Sequence, residues 1–154
     1  MTQFGGKGYS AIPADYDGDG KTDLAVYHES SGLWYVMLSG SGYAPVVVAF
    51  GGLDWSPVPA DYDGDGKTDP ALFNTSNGQW VILMSNSGYG QTSFMLGGPG
   101  YYPVPDDYDG IGRISPAVYH ETTGEWQVLL SGSEYAPVST MFGGQDFSPL
   151  NVGR

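Results

Sequence analysis

Short runs of apolar, β-branched and aromatic residues follow one another along the chain, separated by clusters of Gly, Asp, Asn and Ser. The first four runs are YSAIPA, LAVYHE, LWYVMLS and PVVVAF, at residues 9–14, 24–29, 33–39 and 45–50. Runs of this length with turn-rich borders are typical of β-strands, and no stretch has the 3.6-residue period of an amphipathic helix. The pattern therefore predicts an all-β fold in which short turns join consecutive strands.

The whole pattern repeats every 46 residues. The triplet FGG begins at Phe4, Phe50 and Phe142, and LGG begins at Leu96. Four antiparallel strands in a repeat of this length are typical of a β-propeller blade, whereas the coils of a β-solenoid, the alternative, are shorter and carry parallel strands. We expect one domain over residues 1–154. Its predicted parts are three blades at about 8–50, 54–96 and 100–142, with partial-blade strands at 1–6 and 146–154.

Three blades are fewer than the roughly four to eight that close a propeller. An open fan would leave apolar blade faces in water, which soluble monomers rarely tolerate. We therefore expect two chains to form a homodimer that closes a six-bladed ring. A segment of a longer repeat array and a built repeat protein are the alternatives.

Two identical acidic segments, DYDGDGKTD at residues 15–23 and 61–69, carry the most distinctive chemistry of the chain. Two carboxylates about 4 Å apart repel each other by about 1–4 kcal/mol at effective dielectric constants of 80 to 20, and a cation removes that cost. Oxygen ligands without imidazole or thiolate favour calcium. An EF-hand would need an acid at the twelfth loop position, where this chain has Val26 and Leu72. An Asx turn without metal is the simpler alternative, but it needs only one or two Asp.

The third copy, DYDGIGRIS at residues 107–115, has Ile111 and Ser115 where the other two copies have Asp. Two remaining carboxylates compensate poorly for the dehydration of calcium, so we expect this loop to be empty or weak. The chain should thus bind two calcium ions.

The stretch PVPADYDGDGKTDPALF, followed by GQWVIL and FMLGG, resembles the FG-GAP or VCBS-type repeats of bacterial extracellular proteins, which are related to the integrin α-subunit propeller. The resemblance implies that the acidic loop joins the first two strands of a blade and binds calcium. It also implies an extracellular or cell-surface location. MTQFGGKGYS does not have the pattern of a signal peptide, so we expect any export signal to lie outside this chain. The implied ligands are the side chains of Asp15, Asp17, Asp19 and Asp23, those of Asp61, Asp63, Asp65 and Asp69, and a backbone carbonyl near Lys21 or Lys67 in each loop.

Charge and composition narrow the partners. The chain has seventeen acidic and five basic residues, which gives a net charge of -12. This balance opposes binding to nucleic acid and to anionic membrane surfaces. No apolar run approaches the roughly 18 residues of a membrane span, so we expect no membrane insertion. The absence of cysteine leaves the redox compartment open.

The sequence favours a non-enzymatic role in binding or adhesion. His28 and His120 occupy equivalent positions, but Asn74 stands between them in the middle repeat, and no nucleophile-elbow or metalloprotease motif occurs. A lectin-like protein is one alternative, with aromatic platforms for glycans formed by Tyr9, Trp55, Tyr101 and Phe147. The other is a structural accessory domain of a secreted hydrolase.

Overall fold

The computed structural model describes residues 3–145, which form three sheets of four strands. Sheet 1 contains β1 (Tyr9–Ala11), β2 (Leu24–His28), β3 (Leu33–Leu38) and β4 (Ala44–Ala49). Sheet 2 contains β5 (Trp55–Pro57), β6 (Ala71–Asn74), β7 (Gln79–Met84) and β8 (Gly90–Met95). Sheet 3 contains β9 (Tyr101–Pro103), β10 (Ala117–His120), β11 (Glu125–Leu130) and β12 (Ala136–Met141).

Each sheet is an antiparallel meander, since every strand pairs with its neighbours in the chain. This confirms the predicted four-stranded antiparallel units. The first strand is shorter than the apolar run 9–14, because Pro13 has no N–H to continue the ladder. A one-turn 3₁₀ helix, not predicted from the sequence, follows the third strand of each sheet, at Ser39–Ser41, Ser85–Ser87 and Ser131–Ser133.

The core of each of the first two sheets is completed by a side chain from the sheet that follows. Leu72 of β6 is only 2% exposed and packs into the sheet 1 cluster around Trp34 and Tyr27. Val118 of β10 is fully buried and packs into the sheet 2 cluster around Trp80. We call these contacts between consecutive sheets the first and second joints.

Glycines in the turns between the second and third strands are needed where those turns meet the FGG and LGG triplets. A Cβ on Gly32 would lie 2.4 Å from the carbonyl carbon of Gly51, and one on Gly78 would lie 2.6 Å from the oxygen of Gly97. The amide of Phe50 donates to the carbonyl of Gly32 at 2.7 Å across this contact. The repeated glycines therefore let the β2–β3 turn pack closely on the segment that leads to the next sheet.

One face of sheet 3 is not covered by another sheet within residues 3–145. The equivalent faces of sheets 1 and 2 are covered by Leu72 and Val118. Its cluster of buried residues consists of Val104, Ala117 and Tyr119, with Trp126 and Val128 partly buried against it. Phe142, which is equivalent to the half-buried Phe50, is 76% exposed.

The expected terminal strands lie mostly outside the described residues. Residues 146–154 and residues 1 and 2 are outside them, and residues 3–6 form no strand, since they join no ladder. Gly5 instead lies against β2, where an added Cβ would be 3.2 Å from Cγ1 of Val26. Gly51 holds the same position against Leu72. Ring closure and the pairing of two chains remain predictions.

Among residues 3–145, no helix has the length and apolar character that crossing a membrane requires.

Replacing Leu72 with Ala should lower the free energy of unfolding by about 2–5 kcal/mol, because the first joint would lose its central buried side chain. Urea denaturation followed by tryptophan fluorescence measures this change. Leu24, 49% exposed at the start of β2, is the matched control, and Leu24→Ala should change stability by less than about 0.5 kcal/mol. Equal losses in the two variants would contradict the assigned role of Leu72.

Candidate metal centre

The acidic loops occupy the same place in all three sheets, between the first and second strands. An antiparallel bridge closes the base of each loop, and its partners are Ala14 and Asp23, Ala60 and Asp69, and Asp106 and Ser115. The strand order therefore confirms the position between the first two strands that the resemblance implied for the acidic loop.

Three carboxylates converge in each of the first two loops. Oxygen atoms of Asp15, Asp17 and Asp19 all lie within 4.8 Å of one another. Asp61, Asp63 and Asp65 form the equivalent group in sheet 2. Both groups offer only carboxylate oxygens, which are ligands that calcium prefers.

The turn is shaped by its first aspartate. Asp15 accepts hydrogen bonds from the backbone N–H groups of Gly18 at 2.7 Å and Gly20 at 2.8 Å. Gly18 and Gly20 have φ values of +79° and +85°, which other residues rarely adopt. Asp61 makes the same pair of contacts in the second loop. The loop is thus ordered around its carboxylates.

The 3₁₀ turn after the third strand forms the second wall of the site. In sheet 1, the N–H of Gly40 donates to Asp17 at 2.8 Å, and the hydroxyl of Ser39 donates to Asp19 at 3.0 Å. Asn86 and Ser85 make the corresponding bonds in sheet 2. Sequence reasoning missed this wall, although the serines of the turn recur with the same 46-residue step.

The fourth predicted ligand lies apart from the three-carboxylate group. Asp23 is fully buried, and its Oδ2 accepts from the N–H groups of Tyr16 at 2.7 Å and Asp17 at 3.3 Å. Its Oδ1 accepts from the N–H of Ser39 at 2.8 Å. Asp69 makes the same three kinds of bond in sheet 2. These aspartates fasten the acidic loop to the 3₁₀ turn, and their role as ligands stays a prediction.

The lysines at the seventh loop position contact the carboxylates through their backbone. The N–H of Lys21 donates to Asp19, and that of Lys67 donates to Asp65, each at 2.8 Å. Ligation by a carbonyl near either lysine stays a prediction. The Lys67 side chain extends over the first acidic loop, where its Cγ would lie 2.8 Å from a Cβ placed on Gly18.

The third loop keeps its shape without its third and fourth acids. Asp107 still accepts from the amides of Ile111 and Gly112, at 3.1 and 2.8 Å. The hydroxyl of Ser115 accepts from the N–H of Ser131 at 3.1 Å and so replaces the buried carboxylate. Ile111 itself is exposed and has no oxygen to offer a cation.

The electrostatics of equivalent aspartates differ between loops. Burial raises the pKa of Asp61, and the neighbouring carboxylates of Asp63 and Asp65 raise it further against the opposing amide hydrogen bonds. In the third loop, the hydrogen bond from Gly112 lowers the pKa of Asp107. The second loop therefore holds repelling carboxylates whose charge a cation would stabilise.

Neighbouring loops are joined by the backbone. The N–H of Thr68 donates to the carbonyl of Asp15 at 2.8 Å, and the N–H of Ile114 donates to that of Asp61 at 3.0 Å. The first acidic loop is thus hydrogen-bonded to the second, and the second to the third.

The aromatic residues proposed as glycan platforms lie at the start of the first strand of each sheet. Tyr9 and Tyr101 are half-buried and pack edge-on against His28 and His120, and the hydroxyl of Tyr101 donates to Glu125. Trp55 lines a cavity of about 340 Å³ with polar residues such as Glu29, Asp54 and Thr75. Phe147 lies outside the described residues. Glycan binding at these positions stays a prediction.

Comparison with known families supports the resemblance seen in the sequence. Residues 15–72 match the family described as the FG-GAP-like repeat. The match runs from the first acidic loop through strands β2 to β5 and the second loop to the start of β6. No curated protein and no solved structure matches the chain.

Replacing Asp69 with Ala should destabilise the metal-free protein by about 1–3 kcal/mol, since it would leave the N–H groups of Tyr62, Asp63 and Ser85 without their acceptor. Asp65→Ala removes an exposed carboxylate and should change stability by less than about 0.5 kcal/mol under the same conditions. Urea denaturation in excess chelator separates the two. A smaller loss for Asp69→Ala than for Asp65→Ala would refute the anchoring role.

Proposed function

We propose that this chain, which carries an FG-GAP-like repeat at residues 15–72, is a calcium-binding, non-enzymatic β-propeller module that serves binding or adhesion outside the cell. The observation that carries the proposal is the convergence of three carboxylates in both complete acidic loops and its loss in the third. A site repeated with the scaffold is expected when the ion supports the fold of each unit. A catalytic site would need a constellation that occurs once.

The residues present fit a calcium ion. Asp15, Asp17 and Asp19 would hold the ion in the first loop, with Asp23 or a carbonyl near Lys21 completing the shell. Asp61, Asp63 and Asp65 would do the same in the second. The bound ion supplies positive charge that offsets the repulsion among the carboxylates. The second and third aspartates of each loop already contact the 3₁₀ turn, so holding them in place also holds two loops of the sheet together.

The contacts of His28 and His120 support a structural role for these two residues. Nδ1 of His28 lies 2.7 Å from the hydroxyl of Ser31, and Nδ1 of His120 accepts from the N–H of Thr123 at 3.2 Å. Each ring therefore organises its own β2–β3-type turn. The FG-GAP-like match supports an extracellular setting.

Calcium should raise the free energy of unfolding, by about 2.7 kcal/mol for each site when free calcium is 100 times its dissociation constant. Asp19→Ala and Asp65→Ala should each remove about half of this increase, because each disables one of two sites. Chemical denaturation in calcium and in chelator measures the increase. Unfolding that is indifferent to calcium would sink the proposal.

The third loop supplies matched variants for the same measurement. Asp109→Ala should leave the calcium-dependent increase unchanged, because we expect this loop to bind calcium weakly or not at all. The double change Ile111→Asp and Ser115→Asp restores the sequence pattern of the complete loops and should add a third increment of similar size. No added increment in a folded double variant would show that the acids alone do not define the site.

The exposed face of sheet 3 supports assembly of two chains. At the first and second joints, an equivalent face is covered by Leu72 and Val118 of the next sheet. In a six-bladed ring, Val26 of a second chain would cover sheet 3. The segment 142–144 would then take the position on Val26 that Gly5 holds in the single chain.

Light scattering should give a mass of two chains in calcium, and Phe142→Asp should reduce it to one, because the charge would lie within the new joint. Leu53→Asp is the control. Leu53 is 74% exposed and Phe142 is 76% exposed, but Leu53 lies outside the exposed face of sheet 3. A stable single-chain mass for the unaltered protein would overturn the two-chain ring and leave the calcium proposal standing.

A further inference from the structure

A cavity of about 460 Å³ lies at the first joint, away from the aromatic platforms discussed above. Its volume falls within the roughly 300–1,000 Å³ of small-molecule sites. Sheet 1 and sheet 2 line it from opposite sides, and most of the lining is apolar. The apolar lining residues are Trp34, Val36, Leu38, Val46, Val48, Phe50, Pro70 and Leu83.

The second joint shows what fills the equivalent space. Trp34 pairs across the strands with Val48, and Trp80 pairs in the same register with Phe94. The Phe94 ring stacks on Trp80, with the ring centroids 5.9 Å apart and an interplanar angle of 14°. Val48 has no ring, and although the Phe50 ring lies 6.0 Å from that of Trp34 at a tilt of 32°, the cavity is left beside Trp34.

Packing at the two joints differs accordingly. Phe94 and Leu129 both pack against the buried cluster of sheet 2. Their equivalents at the first joint, Val48 and Leu83, line the cavity instead. One scaffold thus provides the same joint in a filled form and in an open form.

This cavity also carries charges of both signs. Asp17 and Lys67 line it together with the exposed Tyr89. An anion would meet the carboxylate and a cation would meet the ammonium group, so the pair favours a neutral molecule. A hydroxyl group suits both neighbours, because it can donate to the carboxylate and accept from the ammonium group.

We propose that this cavity binds a neutral, single-ring aromatic molecule that carries a hydroxyl group, a ligand of the phenol class. Its ring takes the place against Trp34 and Val48 that the Phe94 side chain takes against Trp80. The site shares Asp17 with the first acidic loop and Lys67 with the second, while its other contacts are mostly apolar, and it goes beyond the calcium-binding role.

The test uses p-cresol, titrated into the ¹⁵N-labelled chain while the indole N–H signals of the four tryptophans are followed. The signal of Trp34, whose Nε1–H donates to the Phe50 carbonyl at 2.7 Å, should shift and saturate. The signals of Trp80 and Trp126 should stay in place. Equal shifts at all tryptophans, or a shift confined to Trp126 on the exposed face of sheet 3, would overturn the proposal.

Three variants sharpen the result. Val48→Phe should fill the cavity and weaken binding by about tenfold or more. Val47→Phe makes the same change at an exposed neighbour that does not line the cavity, and should bind p-cresol as the unaltered chain does. Phe94→Val should open the second joint and add a saturable shift at Trp80.

Unchanged binding by a folded Val48→Phe variant would overturn the proposal. If that variant does not fold, Phe94→Val decides, and the absence of a new shift at Trp80 overturns it. Both titrations are run in calcium and in chelator. A Trp34 shift in both conditions supports this site even where no calcium-dependent stability is found.

Discussion

Each four-stranded sheet of this chain depends on its neighbour, because a small sheet cannot bury its own apolar face. The side chains of Leu72 and Val118 each complete the core of the preceding sheet. This interlocking constrains the rest of the sequence. The 46-residue step can tolerate no insertion inside a unit that would move these residues off the adjoining face, and the glycines of the FGG triplets permit the close contact beside them.

The acidic loops also contribute to the contacts within and between consecutive sheets. The buried Asp23 and Asp69 bind loop to turn within a sheet, and the carbonyls of Asp15 and Asp61 accept hydrogen bonds from the next sheet. Three further carboxylates in each complete loop bring repulsion into the same small region. Charge at these loops and packing at the joints therefore affect the same contacts between sheets, and a cation bound as proposed would stabilise those contacts as the buried Leu72 does.

The strands and their order could be predicted because the apolar runs are short and the turns between them are regular. The division of labour among the aspartates could not, since four identical side chains in one segment give no signal of which is buried. Asp23 is separated from the others only by the backbone path that turns it towards Tyr16 and Ser39. The 3₁₀ turn was missed for a similar reason, because its contribution consists largely of backbone N–H groups.

The differences between equivalent positions carry the functional information in such a repeat. Ser115 shows that a hydroxyl can replace the buried carboxylate, so the aspartate at 23 and 69 is not demanded by the loop shape alone. Val48 and Phe94 show that the joint accepts either a ring or an open space beside the tryptophan. Because the scaffold and register are common to all units, the side chains at equivalent positions can be compared directly. The complete and incomplete acidic loops can therefore be compared for metal binding, and the two joints can be compared for the space beside the tryptophan.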